Sequence, residues 1–160
     1  MAAPAPRDAK RARPAALEAR VSTIELPGLD IYSVLAGKGG KLFLGTRTAL
    51  YLYVDGHLAL IAGHSSEGGY KDGQGDEARF DCIYGLAMER DGNVLVCDCG
   101  NHSVRRVSPH GQVTTVAGNG EEGFADGVGD AARFSSPRAI EVDSEGLIYV
   151  CLLYTSDAAD

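Results

Sequence analysis

The sequence predicts an all-β fold of repeated four-stranded antiparallel sheets, on the basis of three observations. Short segments of alternating apolar and polar residues are separated by turns rich in Gly, Asp and Asn. Glycine makes up 21 of the 160 residues, which suits many short strands joined by tight turns. One segment of the sequence also recurs at a fixed spacing, which is typical of repeat architectures.

The repeat is clearest between residues 69–96 and residues 123–150, which align without gaps at an offset of 54 positions. Both copies contain an Asp-Gly-x-Gly-Asp motif followed by an Arg-Phe pair, Arg79-Phe80 in the first copy and Arg133-Phe134 in the second. Because the apolar positions after these motifs also match, the two copies are expected to fold alike. Each Phe is expected to fill the core between units.

Alternation and turn residues predict four strands after the first copy of the motif, at residues 84–89, 93–98, 103–108 and 112–118. The third strand is irregular, since Val104 and Val107 lie on opposite faces under strict alternation. We therefore expect a bulge there, or burial on both faces.

About two and a half such units are present. A weaker copy covers residues 31–62, and a partial copy supplies strands at residues 138–143 and 147–150. Tandem four-stranded antiparallel units are typical of β-propeller blades, and closure needs at least about four blades. The prediction is a partial β-propeller, with an open strand edge that favours self-association of the chain.

The two ends of the sequence are expected to lie outside this fold. Residues 1–20 are rich in Ala, Pro and Arg, which predicts a disordered basic tail. The last ten residues, 151–160, resemble one translated frame of a transposase-type sequencing adapter, so we expect them to be a scar that packs on nothing specific.

Charge and composition restrict the functional class. The net charge is −7; residues 1–20 contribute +3 and the remaining residues −10, which argues against nucleic acid as a partner of the body. No apolar run approaches the ~20 residues of a membrane span, and no secretory signal is evident. The four cysteines form no C-x-x-C pair, so we expect an intracellular protein, cytoplasmic or nuclear.

Residues 91–111 resemble the NHL repeat, whose name comes from an Asn-His-Leu run; Asn101 and His102 match that run, and Ser103 departs from it. The resemblance extends over residues 31–150, and residues 69–80 and 123–134 are similar to the glycine-rich linkers of long-spaced NHL arrays. It implies a propeller that binds proteins, of the kind joined to BTB/POZ domains or serving as the substrate-binding arm of ubiquitin ligases. The alternatives that it implies are RNA binding and a calcium-dependent lactonase-like or lyase-like enzyme.

A candidate binding face follows from strand direction, because the long linkers and the loop between strands two and three emerge at the same end of each unit. Its expected polar members are Asp98, Asn101, His102, Arg79 and Arg133. The alternative is that the first three only hold their own turn by side-chain to backbone hydrogen bonds. The arginines could likewise bond to loop carbonyls rather than to a partner.

No catalytic residue, metal site or cofactor is predicted. Asp72 and Asp76, with their repeat counterparts Asp126 and Asp130, lack the spacing and bidentate Glu of an EF-hand, and turn formation explains them without calcium. The cysteines are expected to be small buried hydrophobes. The adjacent Arg105 and Arg106 are expected to lie on a solvated strand face.

Overall fold

The computed structural model describes residues 23–153, which form an all-β structure of antiparallel sheets arranged as propeller blades. The predicted fold class is therefore confirmed. The predictions for the basic tail at residues 1–20 and for most of residues 151–160 concern positions outside the described residues.

The first sheet has the strand order β1-β2-β3-β4. Its strands are β1 (Ser33–Ala36), β2 (Leu42–Gly45), β3 (Ala49–Val54) and β4 (His57–Gly63). The turn between β3 and β4 is Asp55-Gly56, in which both residues have positive φ, at 50° and 82°. Such a two-residue turn matches the twist of a hairpin, and Asp-Gly supplies it as the sequence predicted.

The second sheet has five strands in the order β5-β9-β8-β7-β6. Its strands are β5 (Gly73–Gln74), β6 (Ile83–Met88), β7 (Val94–Asp98), β8 (Ser103–Val107) and β9 (Gln112–Ala117). Four of them lie within one residue of the predicted bounds. The fifth, β5, was not predicted: it belongs to the linker, pairs with β9 and thereby becomes an edge strand of the sheet.

The third sheet contains β10 (Pro137–Val142) and β11 (Ile148–Leu152) in the described residues. The expectation that nothing after Val150 would pack is wrong for two residues, because Cys151 pairs with Ala139 and Leu152 with Pro137. Backbone pairing is open to any residue that keeps its N–H and C=O groups, whatever the origin of its side chain.

Short 3-10 turns occur in the connections, at Lys38–Gly40, Gly75–Glu77, Cys99–Asn101 and Gly129–Ala131. The linker before the second sheet is a narrow hairpin in which Lys71 bridges Arg79. We expect the whole linker to lie at the end of the sheet where the turn after β7 lies, but the tip of the linker reaches the other end. Gly75 N–H donates to the carbonyl of Gly111, in the turn at the opposite end.

Two apolar clusters join the sheets. Between the first and second sheets, Phe80 lies fully buried among residues that include Leu50, Ala62 and Val96, which confirms its predicted role as a core plug. Between the second and third sheets, Leu95 and Cys97 pack with Ile140. Because β7 sends alternate side chains into the two clusters, all five of its residues are buried.

The irregular strand β8 has both features that the sequence predicted. Its pairing with β9 shifts between Val104 and Arg105, as at a β-bulge. Val104 also packs toward the third sheet, whereas Val107 packs toward the first.

Candidate binding face

The loops do meet at one end of the sheets, which we call the loop face. Gly100 N–H donates to Asp81 C=O, and Cys99 N–H to Cys82 C=O, so the turn after β7 rests on the end of the linker. His64 N–H donates to Thr48 C=O in the connection between β2 and β3. These bonds fix backbone groups that strand pairing leaves without partners.

A buried ionic network lies under this face. Arg105 and Asp98 are both completely buried and form an ion pair with Nη1 and Oδ2 2.6 Å apart. Arg105 Nη2 lies 2.6 Å from Oδ1 of Asp72, and the guanidinium packs over the rings of Tyr70 and Phe80. Two expectations are thereby corrected: Asp98 is not exposed to a partner, and Arg105 is not on a solvated strand face.

The network has an electrostatic cost. Burial raises the pKa of Asp98 to about 6, although Asn101, the N–H of Asp81 and Arg105 all stabilise its carboxylate. Burial also acts on Asp72, but there the hydrogen bonds from Arg105 and Thr115 prevail and lower the pKa. The network holds the linker against β8 and β9, which is a structural role.

Asn101 and His102 also make contacts within the protein. Asn101 Nδ2 donates to Oδ2 of Asp98 at 2.8 Å and to Gly69 C=O at 2.7 Å, so it fastens the linker as well as its own turn. His102 adopts the left-handed conformation, and its Nδ1 accepts from the N–H of Ser136 at 3.1 Å. Both are half-buried, and their role toward a partner stays a prediction.

The two linker arginines make equivalent hydrogen bonds to the backbone of their own linkers. Arg79 Nη1 donates to the carbonyls of Asp76 and Ala78, and Arg133 Nη1 donates to those of Asp130 and Ala132. These bonds to loop carbonyls are the alternative that the sequence left open. Since each side chain is still partly exposed, at 24% and 30%, a contact with a partner stays a prediction.

Sequence reasoning missed a group of side chains at the start of the inner strands. The pairing of β6 with β7 shifts between Ile83 and Gly85, and the pairing of β10 with β11 shifts between Pro137 and Ala139. Tyr84 and Arg138 are therefore the extra residues of two equivalent bulges, a feature that redirects side chains. Their shared position in the repeat was the available signal.

Tyr32, Tyr84 and Arg138 form a ladder across the three sheets. The rings of Tyr32 and Tyr84 stack with centroids 5.3 Å apart and planes 12° apart. The guanidinium carbon of Arg138 lies 4.5 Å from the centroid of the Tyr84 ring. Tyr32 is 43% exposed and Arg138 is exposed, and no described residue accepts a hydrogen bond from the Arg138 side chain.

A small polar cleft of about 450 Å³ lies on the same face, between the first sheet and the linker. Arg47 and Asp81 border it and form an ion pair with Nε and Oδ1 3.2 Å apart. Ser66, Gly68 and Gly69 complete much of its wall. The cleft adds hydrogen-bonding groups beside the ladder.

Three further observations concern metal ligation, thiol chemistry and membrane spanning in the described part of the chain. Residues 23–153 contain no cluster of three or more His, Cys, Asp or Glu placed to hold a metal ion. Burial raises the pKa of the Cys97 thiol to about 12 and also raises that of Cys99, so neither is an activated nucleophile. Within the same range, no helix is long and apolar enough to cross a membrane.

Comparison with known proteins identifies the repeat. Residues 80–107, from the buried Phe80 to the end of β8, match the model of the NHL repeat. The chain is also 31% identical over 83 residues to protein SUPPRESSOR OF QUENCHING 1, chloroplastic, from Arabidopsis thaliana. That match covers 51% of this chain and 8% of the plant protein.

Solved structures share the fold. An auxiliary nutrient binding protein from Bacteroides thetaiotaomicron superposes with a TM-score of 0.68 at 22% identity, over 81% of this chain and 36% of that one. One from Bacteroides ovatus gives a TM-score of 0.61 at 27% identity, over 70% and 32%. The chain thus spans about a third of the length of these structures.

Proposed function

We propose that this chain, which contains an NHL repeat within a β-propeller fold, is a protein-interaction module that binds a partner segment at its loop face. The observation that carries the proposal is the ladder of Tyr32, Tyr84 and Arg138. Two equivalent bulges place Tyr84 and Arg138 on neighbouring sheets, and Tyr32, just before β1, stacks on the Tyr84 ring.

The chemistry of the ladder favours an acidic peptide segment. A guanidinium carries a fork of donors that matches a carboxylate, and the exposed guanidinium of Arg138 stacks on Tyr84 without donating to any described residue. Aromatic residues and arginine are also the side chains that most often dominate protein–protein interfaces. Because residues 21–160 carry a net charge of −10, the same face is less suited to a nucleic-acid backbone.

The wider setting is part of the proposal. Recognition of a protein segment suits the substrate-binding arm of a ubiquitin-ligase-type protein, as the NHL resemblance implies. The buried, unpaired thiols of Cys97 and Cys99 support a reducing compartment, cytoplasmic or nuclear. The description of a structural neighbour as a nutrient binding protein supports ligand binding by this fold.

Selection from a random peptide library displayed on phage tests the proposal, with the 160-residue chain as bait. We expect the enriched peptides to contain Asp or Glu, and Arg138→Ala to weaken their binding at least tenfold by fluorescence polarisation. Tyr84→Ala should act in the same direction, because it removes the ring that supports the guanidinium.

Arg90→Ala is the matched control, since Arg90 is an exposed arginine at the opposite end of the second sheet. Equal binding by Arg138→Ala, Tyr84→Ala and the unmodified chain would exclude the ladder as the site. Displacement of the peptides by single-stranded RNA, with a steep salt dependence, would favour the nucleic-acid alternative instead.

A further inference from the structure

A second cavity lies at the end of the molecule opposite the loop face. It has a volume of about 840 Å³ and opens between the first and second sheets. Its wall is apolar, with Leu50, Leu52 and Ile61 from the first sheet and Val94 and Val107 from the second. Small-molecule sites commonly have volumes of about 300–1,000 Å³ and mostly apolar walls.

The strand register relates this cavity to the second sheet. Gly37 N–H donates to Lys41 C=O, just as Glu89 N–H donates to Asn93 C=O, so Gly37 and Glu89 hold equivalent positions. In the pairing of β2 with β3, Leu52 lies opposite Phe43, and in the pairing of β7 with β8, Arg106 lies opposite Leu95. Leu52 and Arg106 are therefore equivalent too.

The second sheet fills these two positions with charge. Arg106 Nε and Nη2 lie 2.6 and 2.7 Å from the two carboxylate oxygens of Glu89. The pair lies on the side of Leu95, which packs toward the third sheet. In the first sheet the corresponding residues are Gly37 and Leu52, which both line the cavity. They leave space where the second sheet has a charged pair, and they make the cavity wall apolar.

The rim of the cavity is basic. Lys38, Lys41 and Arg90 line it and are exposed. Glu89 lines the cavity as well, but Arg106 donates to both oxygens of its carboxylate. The carboxylate of Asp91, in the same turn, accepts a hydrogen bond from Nδ2 of Asn93. Three cations thus stand at an apolar opening in a chain whose net charge is −7.

From this combination we propose that the cavity binds a small anionic amphiphile, an unbranched acyl chain that ends in a carboxylate. The chain would occupy the apolar wall, and the carboxylate would meet Lys38 and Lys41 at the rim. The basic N-terminal segment has the wrong charge for this rim, because residues 1–20 sum to +3. The site is separate from the loop face and does not depend on the function proposed for it.

Calorimetric titration of the 160-residue chain with hexanoate, octanoate and decanoate tests the proposal. Burial of each added methylene should tighten Kd about fourfold. Decan-1-ol, which has the same chain without the charge, should bind more weakly than decanoate. A series with no dependence on chain length, or an alcohol that binds as tightly as the acid, would overturn the proposal.

Variants of the rim and wall locate the site. Lys38→Ala and Lys41→Ala should each weaken decanoate binding by up to about fivefold, since both charges are exposed, and leave decan-1-ol unaffected. Lys71→Ala, an exposed lysine on the linker, is the control that should change nothing. The double variant Gly37→Glu/Leu52→Arg copies the charged pair of the second sheet and should abolish binding of both compounds.

Circular dichroism checks that the double variant folds, because a Cβ at Gly37 would come within 3.0 Å of the Phe43 ring. If it does not fold, the lysine variants still decide the question. Equal decanoate affinity in Lys38→Ala, Lys41→Ala and Lys71→Ala would place the carboxylate elsewhere and contradict the proposal.

Discussion

At the scale of single residues, the buried arginine of β8 is the most consequential feature. Arg105 is fully buried in an apolar sheet, where an unpaired charge would be very costly. The carboxylates of Asp98 and Asp72 compensate the charge, each with an oxygen 2.6 Å from a guanidinium nitrogen of Arg105. The network therefore ties the linker to the sheet at the expense of burying charge, and removal of one partner should cost more than the pair contributes.

We expect Asp98→Ala to destabilise the chain by about 3–5 kcal/mol, because it leaves the guanidinium of Arg105 buried without its buried partner. Urea unfolding followed by circular dichroism gives the free energy of unfolding. Asp76→Ala, at an exposed linker position, is the control and should change it by less than about 0.5 kcal/mol. Equal small effects at the two positions would show that the ion pair is dispensable.

Glu89 gives a pH-dependent prediction. Its hydrogen bonds from Arg106 lower its pKa below the ordinary value of 4.5. A carboxyl group whose pKa is lower in the folded state stabilises the fold above its unfolded pKa, and this stabilisation is lost as the pH falls. The difference in unfolding free energy between the unmodified chain and Glu89→Gln should therefore be largest near neutral pH and shrink toward about pH 3. A difference that grows on acidification would contradict this assignment.

At the scale of elements, the two linkers show how one motif can have different contacts. Asp72 accepts hydrogen bonds from Arg105 and from the N–H and hydroxyl of Thr115. Asp126 holds the equivalent position in the second linker and is exposed, with no side-chain partner among the described residues. The shared Asp-Gly-x-Gly-Asp motif therefore does not give the same contacts, because the partners of Asp72 come from strands β8 and β9.

We expect Asp72→Asn to destabilise the chain by about 1–3 kcal/mol, since it weakens charged hydrogen bonds to a buried group. Asp126→Asn is its internal control and should change the unfolding free energy by no more than about 0.5 kcal/mol. Denaturant melts of both variants decide the matter. Equal losses would mean that the second linker is held as the first one is.

Calcium should leave the melting temperature unchanged, because a ligand stabilises only in proportion to its binding to the native state. Both oxygens of Asp72 are already engaged by Arg105 and Thr115, so they are poor ligands for a cation. Thermal melts with calcium and with a chelator make the comparison. A rise in melting temperature that disappears in Asp72→Asn or Asp126→Asn would favour the lactonase-like alternative.

The strands were more predictable than the site, for physical reasons. Alternation and Asp-Gly turns are local signals, and they located β6 to β9 within a residue. The strand β5 escaped detection because Gly73-Gln74 has no apolar alternation and pairs with β9, far along the chain. The burial of Arg105 depends on Asp72 and Asp98, from two other elements, and the bulges at Tyr84 and Arg138 depend on register.

At the scale of the whole molecule, stability is shared between the sheets and the interfaces that join them. In repeat proteins it is roughly a sum of unit terms and neighbour terms. Phe80 and its cluster join the first sheet to the second, and Ile140 with Leu95 joins the second to the third. Gly85 lets the inner strands approach, because a Cβ there would lie 2.8 Å from the carbonyl of Arg138.

The outer edge of β11 leads to the last prediction. No described strand pairs with that edge, and β11 carries Tyr149, whose side chain is exposed (57%). An unpaired strand edge offers N–H and C=O groups to another chain, and a lysine on such a strand opposes pairing. We therefore expect the 160-residue chain to self-associate, with a mass by light scattering above its 16.8 kDa.

Tyr149→Lys should reduce the association, whereas Leu147→Lys, equally exposed but in the preceding turn, should leave it unchanged. A monodisperse monomer of the unmodified chain with a sharp unfolding transition would show that this edge does not drive association.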